Sequence, residues 1–314
     1  MSKTQFLTLL GNAVARRPFC ERVIARLGQR FPSSRVIKSL CWHTGEALAQ
    51  QGGDLNRIAL LEGGVRLHLT LEEPLLRSAY FHGSHEPDTS LMLKRLVKPG
   101  QTWLDIGANI GAFTVLIARL VGRDGRVFAY EPNPHLSRML RHSLESNAFD
   151  HVNLREIALA DTNGSAVLHI PKRPAATPGG SGRASLLSQS SLPEVELHRV
   201  SLARLDDNLP AGIAVDGIKI DVEGYELAVF KGMSERLKTN PPGAILFEAS
   251  RLDEGLATPE QLVIFLASFH YDCYRAIDLT QVRLGTRFSG GLCENILAIA
   301  SQNGQLRAEL GLNT

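Results

Sequence analysis

A regular alternation of short apolar runs and amphipathic stretches, beginning at residue 102, limits the fold of this chain more than any other feature. The apolar runs have the length and the β-branched and aromatic content of strands. They are TWLDI, RVFAYE, VNLREIALAD, GIKID, AILFEAS, YDCYRAI and ENILAIA. Stretches with helical periodicity, such as PHLSRMLRHSLESN and TPEQLVIFLASF, lie between them. Repeated strand–helix units predict an α/β fold in which helices cover both faces of a mostly parallel sheet.

The chain before this alternation has a different pattern. Residues 1–50 are predicted to be helical, and residues 57–71 alternate around Gly63 and Gly64 as a β-hairpin does. A polar loop and a short amphipathic helix follow at residues 81–97. This part of the chain therefore does not continue the strand–helix repeat.

We divide the chain accordingly. Residues 1–85 form an N-terminal extension of helices and a hairpin, residues 86–300 form the main domain, and residues 301–314 form a C-terminal tail. Residues 174–185 interrupt the main domain with a run rich in Gly, Pro, Ala and Ser. Such a run is either a lid over a site or a disordered insertion.

Composition excludes several classes of protein. The formal net charge is +2, and the main body has no basic stripe with interleaved aromatic residues, so no nucleic-acid partner is expected. The four cysteines form no CxxC pair, which favours a reducing compartment over a disulfide framework or a zinc site. No apolar run approaches the roughly 18 residues that a membrane span needs, and no signal peptide is recognised. We therefore expect a cytoplasmic protein without a transmembrane segment.

The N-terminal region has a local charge bias. Residues 1–50 contain eight Lys and Arg residues against Glu21 and Glu46. Apolar residues recur beside them at helical spacing, namely Val23, Ile24, Leu27 and Phe31. Two explanations stay open: a solvated helix face that packs on the main domain, or peripheral contact of residues 1–40 with a membrane surface.

The turn after the first strand of the main domain indicates a ligand. Gly107 and Gly111 have a GxxxG spacing, whereas a dinucleotide fingerprint is GxGxxG, and Asn109 occupies the position of its second glycine. Asp105, before the turn, would repel a pyrophosphate but attract an ammonium group. Glu131 closes the second strand, where a carboxylate can accept hydrogen bonds from a ribose diol. A ligand with a cation at one end and a ribose at the other is S-adenosylmethionine.

Further acids follow the later strands. Asp221 and Glu223 lie two residues apart where GIKID ends, so extended backbone would place both side chains on one side. Glu226 begins the next helix, where its charge would complement the helix dipole. Glu248 ends the strand AILFEAS. Acids therefore mark several strand ends at one edge of the predicted sheet.

These motifs together resemble a known family. In chain order they are DIGANIG, YEPNP, a helix ending in Asn147, KIDVEGYE and LFEAS. Over about residues 86–300, this series is similar to the FkbM family of S-adenosylmethionine-dependent methyltransferases. The resemblance implies a class I methyltransferase fold, with a mostly parallel seven-stranded sheet that has an antiparallel strand near its end. It also implies O-methylation of a hydroxyl on a sugar, glycolipid or polyketide-type natural product, so the expected partner is a small-molecule or glycan acceptor.

By matching positions, the resemblance also implies the cofactor contacts. The turn after the first strand would line the methionine part of S-adenosyl-L-methionine, the end of the second strand would bind the ribose, and the ALAD segment would lie beside the adenine. In chain order these residues are Asp105, Gly107, Ala108, Asn109, Gly111, Glu131, Pro132, Ala158, Leu159 and Asp161.

For catalysis we expect Asp221 to act as the general base and Glu223 to orient the acceptor, because a hydroxyl is a weak nucleophile. Two alternatives stay open. Asp221, Glu223 and Glu248 offer the oxygen ligands that a divalent cation favours, although no metal is expected. His82 or His85 could instead reach over the site as the base. Glu248 and His85 are also candidates for substrate contact.

Two other functions compete with methyl transfer. An NAD-dependent oxidoreductase would have a related architecture, but Asn109 and Asp105 argue against pyrophosphate in the turn. A non-catalytic module that binds the cofactor would not need Asp221, Glu223 and Glu248.

Overall fold

The computed structural model describes residues 2–72, 74–171, 185–186, 195–210, 212–250, 257–282 and 293–312. The predicted lid or insertion at residues 174–185 lies outside the described residues except for Ser185. The described part of the chain contains no helix that is both long and apolar enough to cross a membrane.

The N-terminal region is helical and contains the predicted hairpin. Its elements are α1 (Lys3–Ala15), α2 (Pro18–Arg30), α3 (Arg35–Gln51), β1 (Asn56–Leu60), β2 (Arg66–Thr70) and α4 (Pro74–His82). Strands β1 and β2 pair antiparallel, and Gly63 and Gly64 in the connecting turn both have positive φ. Local sequence sets the helix starts: the side chain of Ser34 accepts a hydrogen bond from the backbone N–H of Ile37, and Pro18 occupies the first turn of α2.

The predicted alternation of strands and helices is found in residues 102–147 and again in residues 217–275. In chain order, the rest of the chain contains α5 (Pro87–Leu96), β3 (Thr102–Ile106), α6 (Ala112–Val121), β4 (Arg126–Tyr130), α7 (Pro134–Asn147), β5 (Val152–Arg155), β6 (Ala158–Leu159), β7 (Gly164–Pro171), β8 (Val195–Ala203), α8 (Leu205–Asn208), β9 (Gly217–Ile220), α9 (Glu226–Gly232), α10 (Ser234–Thr239), β10 (Ala244–Ser250), α11 (Pro259–Ala267), β11 (Tyr271–Arg275), β12 (Gln281–Val282), β13 (Cys293–Ala300) and α12 (Gly304–Glu309).

The central sheet has the strand order β12-β11-β13-β10-β9-β3-β4-β5. Strands β5, β4, β3, β9 and β10 are parallel, while β13 runs antiparallel to both β10 and β11. The expected class I methyltransferase fold is therefore confirmed, with its antiparallel strand near one end. The two-residue strand β12 adds an eighth strand at the edge of the expected seven.

One predicted strand is wrong. The run VNLREIALAD divides into β5, which belongs to the central sheet, and β6, which pairs with β8 in a separate three-stranded sheet of order β6-β8-β7. The break follows Arg155, whose carbonyl accepts the backbone N–H of Glu131 at the end of β4. The partners of β6 come from residues 164–171 and 195–203, so local sequence could not indicate this sheet.

The hydrophobic core lies on both faces of the central sheet. Leu104, Ile106 and Ile218 face α9 and α11 on one side, whereas Trp103 and Val127 belong to a second cluster on the other. A third cluster joins the N-terminal region to the main domain, because apolar side chains of β2 and α4 pack with those of α6 and α7. The boundary drawn at residue 85 therefore crosses a shared core.

Candidate functional site

A cavity of about 670 Å³, partly open to solvent, lies at the carboxyl ends of β3, β4 and β9. The strand order reverses between β3 and β9, and ligands of open α/β sheets bind at such a point. The cavity is lined by Ile106, Gly107, Asn109, Tyr130, Glu131, Pro132, Leu136, Ile157, Ala158, Leu159, Leu168, Leu186, Asp221, Val222, Glu223 and Tyr225. It therefore brings together the ends of three strands and the small second sheet.

The two glycines of the first turn are required by packing. Gly107 has φ +76°, and a Cβ there would lie 1.8 Å from the carbonyl oxygen of Asp221. Gly111 has φ +90°, and a Cβ there would lie 2.2 Å from Cδ1 of Leu140 in α7. Only Gly107 lines the cavity. The GxxxG spacing thus lets the turn press against β9 and lets α6 pack on α7.

Glu131 connects the ends of β3 and β4 and faces the cavity. Its Oε2 accepts the backbone N–H of Asn109 at 2.7 Å, and its Oε1 accepts that of Asn133 at 2.8 Å. Burial raises the pKa of Glu131 to about 7, although these two hydrogen bonds oppose the rise. An ionised carboxylate has about four acceptor positions, so two remain for ligand hydroxyls.

Asp105 does not line the cavity, contrary to the expected contact with the ammonium group. Side chains alternate along a strand, so Ile106 faces the cavity while Asp105 lies on the opposite face, fully buried beside α6. Its Oδ2 accepts the hydroxyl of Thr114 at 2.5 Å. Its Oδ1 has no hydrogen-bond partner among the described residues, and burial raises the pKa of Asp105.

Lys219 is a buried cation that the sequence analysis missed. It stands opposite Asp105 in the register of β3 and β9, and its Nζ lies 3.1 Å from Oδ2 of Asp221 and 4.8 Å from the ring centroid of Phe113. Burial by itself lowers the pKa of Lys219, but the charges of Asp221, Asp105 and Glu86 outweigh it and raise the pKa. A lysine between Ile218 and Ile220, in a strand buried on both faces, was the available signal.

The acids after β9 have different environments. Asp221 and Glu223 both line the cavity, and Glu223 has φ +51°. Glu226 is buried, and its Oε1 accepts the backbone N–H groups of Val222 and Gly224, each at 3.3 Å. Burial raises the pKa of Glu226 to about 7. It therefore stabilises the turn that carries Asp221, which is more than the helix-dipole role expected from sequence.

The remaining cofactor candidates divide into two groups. Pro132, Ala158 and Leu159 line the cavity together with Leu136 and Leu168, and they form an apolar wall. Ala108, Gly111 and Asp161 do not line it: Ala108 and Gly111 are enclosed by neighbouring elements, and Asp161 is exposed. Tyr130 also lines the cavity, and its buried hydroxyl has no hydrogen-bond partner in the described structure, a feature with no signal in the sequence.

The histidine alternatives lie away from the cavity. His82 ends α4, and its buried Nδ1 has no hydrogen-bond partner among the described residues. His85 Nε2 lies 3.4 Å from Oε1 of Glu86, and its ring packs on Phe113, on the Lys219 side of the sheet. Glu248 is partly buried on β10 and does not line the cavity.

The metal alternative gains no support from the described residues. Nowhere among them do three or more His, Cys, Asp or Glu side chains meet in a group that could hold a metal ion. Asp221, Glu223 and Glu248 accordingly do not form such a group.

The charge of the cavity limits its ligand. Its described lining contains three acids, Glu131, Asp221 and Glu223, and neither Lys, Arg nor His. Among the described lining residues, a pyrophosphate would meet three acidic residues and no Lys, Arg or His, and the nearby Lys219 is already paired with Asp221. A positively charged ligand with an apolar ring system and hydroxyl groups fits the lining.

Comparisons with known proteins show what the chain is similar to. A family model described as the methyltransferase FkbM domain matches residues 105–273, more than half of the chain. A tRNA (adenine(58)-N(1))-methyltransferase, TrmI, of Thermus thermophilus is 39% identical over 100 residues, which are 26% of this chain and 38% of that protein. A protein-L-isoaspartate O-methyltransferase of Aeropyrum pernix is 35% identical over 74 residues, covering 24% of this chain and 28% of that protein.

The chain thus spans less than two fifths of the length of these curated relatives. Among solved structures, an FkbM methyltransferase from Methylobacillus flagellatus superposes with a TM-score of 0.42 at 14% identity, covering 84% of this chain and 59% of that one.

Proposed function

The chain belongs to the FkbM methyltransferase family, and from this premise we propose that it transfers a methyl group from S-adenosylmethionine to a hydroxyl group. The observation that carries the proposal is the cavity at the switch point of the sheet, whose described lining includes three acidic residues and no Lys, Arg or His. This charge matches a sulfonium and an ammonium group and opposes a pyrophosphate.

The lining residues suit the parts of the cofactor. The carboxylate of Glu131 accepts the ribose hydroxyls, because each of its oxygens keeps a free acceptor position. Pro132, Leu136, Ala158 and Leu159 pack against the adenine. The glycine turn at Gly107 and the turn at Asp221 enclose the methionine part from two sides.

The acids after β9 favour a hydroxyl as the acceptor. When bound, S-adenosylmethionine supplies an electrophilic methyl carbon, and a hydroxyl that attacks it must lose a proton. We assign that proton to Asp221, because this residue lines the cavity and Lys219 holds its carboxylate in place at 3.1 Å. Glu223, on the same turn, orients the acceptor. An unprotonated ring nitrogen would need no such base.

The acceptor class follows from the family resemblance. We propose a sugar, glycolipid or polyketide-type hydroxyl as the acceptor, and the proposal includes no metal ion. Methyl transfer from labelled S-adenosylmethionine to a panel of such hydroxyl compounds should give labelled product, with tRNA as the contrasting acceptor. Labelling of tRNA alone would overturn the acceptor assignment but not the cofactor assignment.

Calorimetry tests the cofactor directly. We expect S-adenosylhomocysteine to bind to the purified protein and NADH not to bind. Glu131→Gln should weaken S-adenosylhomocysteine binding at least about tenfold, since hydrogen bonds to a charged acceptor are lost. The exposed Asp150→Asn removes the same charge away from the cavity and should leave the affinity unchanged. Binding of NADH, or no binding of S-adenosylhomocysteine, would contradict the proposal.

Turnover tests Asp221 separately. Asp221→Asn should lower kcat at least about a hundredfold, the usual range for a lost general base, while the affinity for S-adenosylhomocysteine changes little. Near-normal turnover in this variant would remove Asp221 from the role.

A further inference from the structure

Helix α2 exposes an apolar stripe. Phe19, Val23 and Leu27 lie along one side of the helix at intervals of four residues, and Phe31, the C-cap, follows at the same interval. They are 73%, 37%, 38% and 49% exposed, respectively. Because contiguous exposed patches of large apolar side chains mark interaction sites, this stripe indicates a binding surface.

Arginines border this stripe. Arg22, Arg26 and Arg30 also recur every four residues, each next to one of the apolar residues, and all three are exposed. We call the seven residues of the two stripes the outer face of α2.

The opposite side of α2 is fixed on the molecule. A Cβ at Gly28 would lie 2.3 Å from the carbonyl oxygen of Phe81, so the helix approaches α4 closely. Glu21 is buried and pairs with Arg57 at 2.7 Å, and Tyr80 donates its hydroxyl to the same carboxylate at 2.8 Å. These contacts fix the rotation of α2, so its apolar stripe cannot turn inward.

The three N-terminal helices carry a positive excess of charge. Residues 1–50 contain eight Lys and Arg residues and two acids, Glu21, which is buried against Arg57, and Glu46, which pairs with Arg77. The neighbouring helices add exposed apolar side chains, Phe6 on α1 and Val36 and Trp42 on α3. The whole region is therefore positive and apolar at its surface.

We propose that the outer face of α2 binds the surface of an anionic lipid bilayer. A helix that lies in a membrane interface buries apolar side chains at the headgroup boundary and places basic side chains against anionic lipids. The 13 residues of α2 are too few to cross a bilayer, so the helix lies on the surface. The expected basic amphipathic helix thus exposes its apolar residues, except Ile24, which packs against the core.

Two other partners fit less well. A second copy of the chain docked through the same face would bring the three arginines against each other without an exposed acid to balance them. A nucleic acid would satisfy the arginines but would leave Val23 and Leu27 against phosphates, where aliphatic side chains gain nothing.

Vesicle flotation tests the proposal. The full chain should float with vesicles of phosphatidylcholine and phosphatidylglycerol, and not with vesicles of phosphatidylcholine alone. Arg22→Gln with Arg26→Gln should lower the partition coefficient on the order of twentyfold, because each basic residue near an anionic surface contributes roughly fivefold. Phe19→Ser with Leu27→Ser should abolish flotation.

A matched control distinguishes binding through the outer face from nonspecific adsorption of exposed apolar side chains. Ile264 is 48% exposed on α11, so Ile264→Ser removes a comparable apolar side chain elsewhere and should float as the wild type does. Circular dichroism should show that all variants are folded, as expected for exposed positions.

Several outcomes would overturn the proposal. The first is failure of the wild type to float with anionic vesicles, and the second is flotation of the Phe19→Ser, Leu27→Ser double variant equal to that of the wild type. The third is a dimer of the wild type that this double variant dissociates. The fourth is RNA binding that depends on the same arginines while flotation is absent. Flotation is measured without cofactor or acceptor, so its result is independent of the proposed enzymatic function.

Discussion

Lys219 is enclosed by protein, and its charge is balanced by acids from three segments of the chain. Asp105 lies opposite it on β3, Asp221 follows it on β9, and Glu86 contributes from the start of α5. Removing one partner from a buried ionic group leaves an uncompensated charge, which costs far more than the loss of a surface pair. The position of the carboxylate of Asp221 therefore depends on Lys219.

We predict that Lys219→Met lowers the free energy of unfolding by about 3–5 kcal/mol, measured by urea denaturation. Lys98 pairs with Glu309 at the surface, so the control Lys98→Met should cost less than about 1 kcal/mol. In Lys219→Met the buried acids should favour their protonated forms, and stability should recover as the pH falls. Equal stability of the two variants would show that the network is not held together by Lys219.

At the scale of elements, the hairpin is attached to the main domain through one edge. The backbone N–H of Arg66 donates to Oδ1 of Asn147 at 2.9 Å, and Nδ2 of Asn147 donates to the carbonyl of Arg66 at 2.6 Å. The backbone N–H of His68 donates to the hydroxyl of Ser143 at 2.9 Å. Side chains of α7 therefore satisfy the open edge of β2 as a neighbouring strand would.

Asn147→Ala should remove both bonds to Arg66 and lower the free energy of unfolding by about 1–3 kcal/mol. Hydrogen exchange at the amide of Arg66 should accelerate, because that N–H loses its acceptor. Asn147→Asp keeps the oxygen that accepts the N–H of Arg66 and loses the Nδ2 that donates to its carbonyl. In this variant the exchange rate of the Arg66 amide should therefore stay close to that of the wild type. Unchanged exchange in Asn147→Ala would mean that the hairpin is held elsewhere.

At the scale of the whole molecule, stability depends on pH through buried acids. Burial raises the pKa of Glu131 and of Glu226 from 4.5 to about 7. Between these values the folded chain binds more protons than the unfolded chain. The contribution of each group to the free energy of unfolding therefore falls as the pH rises from about 4.5 to about 7, and it is constant above.

Glu226→Gln tests this at a single position. Both hydrogen bonds to Glu226 reach Oε1, so the amide oxygen of Gln can still accept them while the titration is removed. Relative to the wild type, the variant should gain stability between pH 4.5 and pH 7, by at most about 3 kcal/mol. The exposed Glu145→Gln should show no such gain in the same thermal or urea unfolding series. If Glu226→Gln were already more stable than the wild type at pH 4, its stability gain would not come from the titration of Glu226.

The sequence by itself determined the order of the strands and helices around β3, β4, β9 and β10, and the edge of the sheet at which the cavity lies. Apolar periodicity indicates β3, β4, β9 and β10 because these strands are buried on both faces, and parallel strands must end at a common edge. Motifs that are contiguous in sequence, such as the turn at Gly107 and the strand end at Glu131, could therefore be placed correctly against the cavity.

The tertiary structure alone decided which polar groups meet. The alternation of β3 directs Asp105 away from the cavity, and only the register with β9 brings it to Lys219. Contacts between distant segments likewise produce the small sheet of β6, β7 and β8, the role of Glu226 and the exposed stripe of α2. They also enclose the hydroxyl of Tyr130, which has no hydrogen-bond partner among the described residues. The physical reason is that burial and electrostatic pairing depend on distances in space, whereas propensity and periodicity describe only neighbours along the chain.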